Sequence, residues 1–339
     1  IENQKPKPEY YFKFYRGGIE SYSLENISVF KKNIKLEFHI PKNDGLLDVI
    51  DAAPSVLSDI LTINRGVNIG GCFDIFLSDQ KSTTRHFKYL SGTKCVKPYF
   101  YEWAKSDGYM IFDDKKEKEL RSQGKTIALG NHQRYLQPRL FIPESAQTIM
   151  AAYSEEQIYS AYGLLVGTSE LGKEYLKYAC GLLNSQLITF YSIQREILRK
   201  GNKATPHVGV KGLNGLPIYK DKSDVLLISR IVDSITMLKY YSSEFADSIH
   251  ISSYFERLIN AIIYEIYFPN AIQKAKCEIK RHLQSFPAIS KFPDESTKDI
   301  NLKTVKDFYK EISSSQHPVN SALLKLLNVD EVKIIESKE

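Results

Sequence analysis

From Val56 to about Val166 the apolar residues come in short runs with polar punctuation, and after Lys222 they settle into a three-and-four spacing. Runs of four to six apolar residues bounded by Gly, Pro, Asn or Asp predict strands, whereas the longer period predicts amphipathic helices. On this reading strands cover 10–15 and 34–40 around a Gly17-Gly18 turn, then 60–64, 73–77, 96–101, 109–112, 139–142, 148–153 and 162–166. A short helix over 45–52 ends before Pro54, which excludes the preceding residue from helical geometry. The charge cluster 113–121 predicts a turn or two of exposed helix. Leu182, Leu183, Leu187, Ile188 and Tyr191 predict a helix starting near Cys180. Helices follow over 222–246, 252–268 and 270–283, then a Pro- and Ser-containing linker over 285–299, helices over 305–312 and 320–327, and a last strand over 332–335. No repeat or low-complexity tract occurs. The expected fold is mixed α+β, a β-rich body followed by a helical-bundle tail.

Composition narrows this. With 339 residues, 42% hydrophobic and 25% charged, the chain is of globular type and long enough for two domains. No apolar run reaches the roughly 18 residues of a membrane helix, and no signal peptide opens the chain. Cys72, Cys95, Cys180 and Cys277 stand far apart with no CxxC pair, which argues against a disulfide framework or a zinc site and fits a reducing cytoplasm. The chain starts at Ile1 inside a polar phrase, as a piece of a longer polypeptide would.

The net charge is only +6, but between Arg65 and Lys222 bases exceed acids. Within that stretch Arg195, Arg199, Lys200, Lys203 and Lys211 stand among Gly201, Gly209, Gly212 and Gly215, ahead of the apolar Leu216-Pro217-Ile218. Backbone without side chains beside several cations is suited to approaching phosphates; a solvated surface loop has the same composition. Asn131-His132-Gln133-Arg134-Tyr135, before Pro138, holds the amide and guanidinium side chains that match adenine and guanine edges.

Motifs for covalent chemistry do not match. Gly167 to Lys173 has the GxxxxGK spacing of a phosphate loop, but Glu174 stands where a Ser or Thr must hold magnesium, so a strand-to-helix turn is the reading. There is no GxGxxG, HExxH, GxSxG or EF-hand loop, no methyl-donor FxGxG loop and no NPPY-type base-flipping motif. The acids near 113–116 and 294–298 lack the spacing of a metal nuclease.

One set of landmarks is familiar. Ile63-Asn64-Arg65-Gly66-Val67 with Gly70-Gly71 and Phe76, Val96-Lys97-Pro98, Gln137 to Pro143, Leu182-Leu183-Asn184-Ser185 and Leu216-Pro217-Ile218 follow one another across about 56–219. In order and spacing they resemble the TaqI-like C-terminal specificity domain of N6-adenine DNA methyltransferases, including fused type IIG-like restriction–modification enzymes. The phrase from Tyr254 to Leu283 is similar to the helical segment that often follows this domain in type IIG-like and phage-defence adenine methylases.

The resemblance implies a chain divided into a lead-in from an upstream methylase domain (1–55), a DNA target recognition domain (56–221), a helical region (222–285) and a linker with a small helical segment (286–339). It implies double-stranded DNA as partner, with the methylase domain of the same polypeptide as the second. No cofactor is expected in this chain, S-adenosylmethionine belonging to the parent enzyme. The residues expected at DNA are Arg65, Asn68, Lys97, Asn131, Gln133, Arg134, Arg139, Arg195, Arg199, Lys200, Lys203, His207 and Lys211. No catalytic or metal-binding residue is assigned. The competing reading is a scaffolding module that docks a catalytic subunit through the helices after Lys222; retention of DNA at low salt separates the two.

Overall fold

A computed structural model describes Tyr11–Tyr15, Tyr22–Asn26 and residues 44–199, 205–290 and 293–337. Residues 1–45 and 46–339 are separate units. In the first, Tyr11–Tyr15 and Tyr22–Asn26 form an antiparallel ladder with Tyr11 opposite Asn26. The strand expected over 34–40 lies outside the described residues.

The second unit is α+β, and one sheet organises it. Four antiparallel strands run in the order Ala152–Ser154, Arg139–Pro143, Leu164–Thr168, Thr62–Arg65. Successive side chains of a strand point to opposite faces, and here both faces are covered. Leu140, Ile142, Leu165, Tyr153 and Ile63 join a large core shared with the helices, while Phe141, Leu164, Val166 and Ala152 join a smaller core on the other side. The sheet is a wall between two cores, which is why its central strands read as unbroken apolar runs. Across the smaller core lies a second sheet in the order Ile158–Ser160, His86–Leu90, Tyr109–Ile111, Leu77–Ser78, its first pair parallel. Tyr89, Leu90, Met110, Ile158 and Tyr159 belong to that core.

The large core is helical. Lys173–Leu183 is buried continuously from Leu176 to Leu183. Asn184 and Ser185 end it: the Asn184 amide donates to the carbonyls of Cys180 and Ala151 at 2.8 Å, and Ser185 Oγ accepts from Ile188 N to start Gln186–Gln194. Polar side chains that compete for backbone groups thus split what the periodicity gives as one helix. Lys222–Tyr240 packs on Lys173–Leu183 and on Ser248–Tyr267. Between the first two, Lys177 Nζ meets Asp233 at 2.7 Å and lies over the Tyr153 ring, tying helices to sheet. Phe286 stacks edge-on with Phe255 and Phe308, and Val305, Ile312, Val319, Leu323, Val332 and Ile335 belong to the same core, which is continuous through residues 222 and 286.

Several elements differ from the pattern reading. Phe73–Phe76 is one helical turn, not a strand, with Phe73 and Ile75 exposed and Phe76 buried. The 270–283 stretch is helical only at Pro269–Lys274 and in a short turn at Lys280–His282. Asp330–Glu336 is a helix: Val332 and Ile335, three apart, are both buried, a helical rather than a strand spacing. None of the described helices is long and apolar enough to cross a membrane.

Gly181 lies where Lys173–Leu183 meets Lys222–Tyr240, and a Cβ there would stand 2.5 Å from Ile228 Cγ2. Ile228 is β-branched, fully buried and stiff at χ1, so it cannot swing clear. Gly181→Ala is expected to lower stability by roughly 1–2 kcal/mol, read as a shifted denaturation midpoint with an unchanged slope.

Candidate nucleic-acid interface

The sheet wall delivers Arg65 at the end of a strand and then turns sharply. Gly66 N donates to Leu164 O at 2.7 Å, and Val67 N donates to Ser160 O at 2.8 Å. Asn68 and Ala128 exchange both backbone hydrogen bonds at 2.8 Å, and Asn68 Oδ1 accepts from Gly70 N. The 66–71 turn is therefore laced to two other segments, 158–164 and 126–128.

The Arg65 side chain extends from this frame, 40% exposed. Its Nη2 donates to Glu144 Oε1 at 2.5 Å, and its guanidinium lies 4.7 Å from the centre of the Tyr162 ring. Arg134 Nη1 donates to the Arg65 carbonyl at 3.0 Å, which joins the 131–135 segment to the same place. There the Asn131 side chain caps a single turn, His132–Tyr135, while Asn131 and Gln133 are exposed. His132 packs beside the Phe112 and Tyr159 rings, which also stack on each other, with Tyr159 Oη 2.6 Å from its Nδ1.

Arg139, expected at DNA, is instead a wholly buried residue beneath this segment. Its Nε donates to Arg134 O at 3.1 Å, Nη2 to Tyr135 O at 2.6 Å and Nη1 to Glu156 O at 2.5 Å. Burial pulls its pKa down to about 10, so it remains a cation at neutral pH. Every nitrogen of the fork points at a carbonyl inside the protein, and none can reach a duplex. What Arg139 does is hold the carbonyl end of the His132–Tyr135 turn.

The basic glycine-rich stretch begins as a hairpin, Leu198–Arg199 paired with His207–Val208. Lys200 and Lys203 lie outside the described residues. The hairpin docks on the segment that carries Glu144: Val208 N donates to Glu144 O at 2.9 Å, and Ser145 Oγ lies 2.8 Å from His207 Nδ1. Arg199 and His207, opposite one another and exposed, are thereby joined through Glu144 to Arg65. Lys211 is exposed on the next helix, Val210–Asn214. Two expected residues stand apart from this set. Arg195 forms an ion pair with Asp51, which also accepts from Tyr191 Oη at 2.6 Å. Lys97 borders a hollow with Lys239, Ile249 and Glu256 of the helical part.

Two residues of this surface, Glu144 and Tyr162, carry no sequence signal. Each follows an ordinary apolar stretch or turn, and only the folded register brings them to Arg65. Among the described residues no group of three His, Cys, Asp or Glu side chains is placed to hold a metal.

No curated protein matches the chain. Among solved structures it is similar to the type IIG restriction endonuclease BpuSI, at 10% identity and TM-score 0.39 over 72% of this chain and 36% of that one. It is also similar to the type IIL restriction–modification enzyme MmeI, solved in complex with DNA, at 13% identity and TM-score 0.36 over 91% of this chain and 42% of that one. The chain thus spans less than half the length of either. The family match is to the TaqI-like C-terminal specificity domain, over residues 87–218, starting later than the landmarks from residue 56 and ending one residue short of Tyr219. Residues 87–218, which hold three of the four strands of the sheet wall, match the TaqI-like C-terminal specificity domain, whereas the strand ending at Arg65 precedes them.

Proposed function

We propose that this chain reads duplex DNA as the specificity portion of an adenine-specific DNA methyltransferase or fused restriction–modification enzyme. The observation that carries it is the run of linked groups from Arg134 through Arg65 and Glu144 to His207 and Arg199, all but Arg65 within the residues that match a TaqI-like specificity domain. Arg199, His207 and Lys211 suit phosphate contacts, which position a duplex without reading it. Arg65, Arg134 and Gln133 suit base edges. Asn68 and Asn131 use their amide oxygens on backbone N–H groups, so a bidentate grip on adenine falls to the exposed Gln133. Methylation, with its S-adenosylmethionine and the extrusion of adenine, belongs on this reading to a methylase domain of the same polypeptide. The setting is cytoplasmic defence against phage.

The test is binding of the full chain to random duplex DNA across a range of salt. Affinity should fall steeply with salt as bound cations release counterions. Arg199→Ala and Lys211→Ala should each weaken all sequences alike and reduce the salt slope by about 1. Absent binding at low salt, or binding indifferent to salt, would refute the reading and favour a scaffolding role.

A further inference from the structure

We propose that Arg65 is the guanine-reading side chain of this surface, and that Glu144 and Tyr162 determine specificity by holding its guanidinium in place. This rests on the DNA reading above. Arg139 is buried with each guanidinium nitrogen on a carbonyl, as a purely structural arginine should be. Arg65 is 40% exposed, only its Nη2 is engaged, and Nε and Nη1 have no hydrogen-bond partner among the described residues.

Its constraints are of a particular kind. The Tyr162 ring at 4.7 Å supports one face of the guanidinium. Glu144, whose side chain is only 18% exposed, fixes the rotation about that support with one hydrogen bond. The Arg65 main chain is pinned from both sides, by Arg134 at its carbonyl and by the bonds of Gly66 and Val67 just after it. A long, flexible side chain is thus ordered before any ligand arrives, which removes most of the cost of ordering it on binding.

The same arrangement says what the ligand is. A carboxylate against the guanidinium cancels most of the pair's net charge, so attraction to a phosphate is weak. What remains is direction: in-plane N–H donors on a planar fork. The major-groove edge of guanine offers two acceptors, N7 and O6, side by side. Adenine replaces the second acceptor with an N–H donor, which the fork cannot accept.

Selection of bound sequences from a randomised duplex library, followed by sequencing, tests this with the full chain and with Arg65→Lys, Glu144→Gln and Tyr162→Ala. The unmodified chain should select guanine at one position of its site. Arg65→Lys and Tyr162→Ala should lower that preference about tenfold or more with other positions unchanged. Glu144→Gln should relax the same position and, by removing a negative charge, tighten binding to random DNA. Tyr162→Leu, which keeps bulk and loses the ring's electrostatics, substitutes if the alanine variant fails to fold. A role in folding alone would weaken all sequences equally and leave the selected site intact, and that result overturns the inference, as does selection by the unmodified chain without a guanine position. Failure of the unmodified chain to bind any DNA instead overturns the functional reading, and this inference with it.

Discussion

Arg139→Met is expected to lower the thermal unfolding midpoint of residues 46–339 by roughly 6–12 °C and to abolish specific DNA binding. Replacing a buried ion by an apolar side chain of similar length is often harmless, because the ion's desolvation cost disappears with it. Here it is not, because the carbonyls of Arg134, Tyr135 and Glu156 stay behind with the donors removed. A buried acceptor left without a donor costs about 1–3 kcal/mol. Tyr135 O is buried, Arg134 O and Glu156 O are partly so, and Glu156 O keeps a 3.5 Å contact from Ser154 Oγ, so the three together, less the relief of desolvation, come to a loss of about 3 kcal/mol, which at roughly 2–4 °C per kcal/mol gives the stated shift. Lysine cannot rescue the site, since one ammonium cannot span three carbonyls arranged for a planar fork. The sign of the pH dependence follows from the direction of the shift. Burial lowers the folded-state pKa from the ordinary guanidinium value to about 10, so the native state disfavours the cation relative to the unfolded chain. That penalty is constant below about pH 10 and is relieved only as pH rises through 10 toward the value of the unfolded chain. The loss on mutation should therefore be flat between pH 5 and 9. A midpoint within a degree or two of the unmodified chain would show that the carbonyls find other donors.

Much of this architecture was written in the chain's periodicities, and what was not has physical reasons. Leu140-Phe141-Ile142 and Leu164-Leu165-Val166 read as strands because both faces are buried, and Ile228, Ile231, Val232, Ile235 and Leu238 as a helix because one stripe is. His86–Leu90 and Ile158–Ser160 were not legible: they pair in parallel across some seventy residues, and nothing local marks such a partner. The break at Asn184-Ser185 hid because it depends on Ala151, which the sheet brings alongside. In the candidate site, polar residues in glycine-rich turns were visible as a class, and Arg65, Arg134 and Arg199 do sit on linked segments. Arg139 was misread because an arginine's charge is visible in sequence and its burial is not. Glu144 and Tyr162 were missed for the opposite reason: each is unremarkable alone, and its meaning is a contact with Arg65 across 79 and 97 positions of chain.

Gly66→Ala should cost roughly 2–3 kcal/mol of stability, and more in DNA recognition than that loss alone predicts. A Cβ at residue 66 would stand 2.3 Å from Ala161 O, 2.5 Å from Ser160 O and 2.8 Å from Ser160 Oγ. The first two are backbone atoms and cannot rotate away. The chain must separate here, and the bonds from Gly66 N to Leu164 O and from Val67 N to Ser160 O are the ones that stretch. Those bonds join the strand ending at Arg65 to the segment bearing Tyr162, so the separation moves the guanidinium off its ring. Gly92→Ala is the matched control: its backbone is extended, its Cβ would meet nothing within 4 Å, and it should leave stability and binding unchanged. Denaturant midpoints measure the first effect, and the ratio of affinities for selected and random duplexes measures the second. If Gly66→Ala lowers that ratio no more than Gly181→Ala, which loosens the helical core at a distance from Arg65, then the geometry at residue 66 serves folding alone.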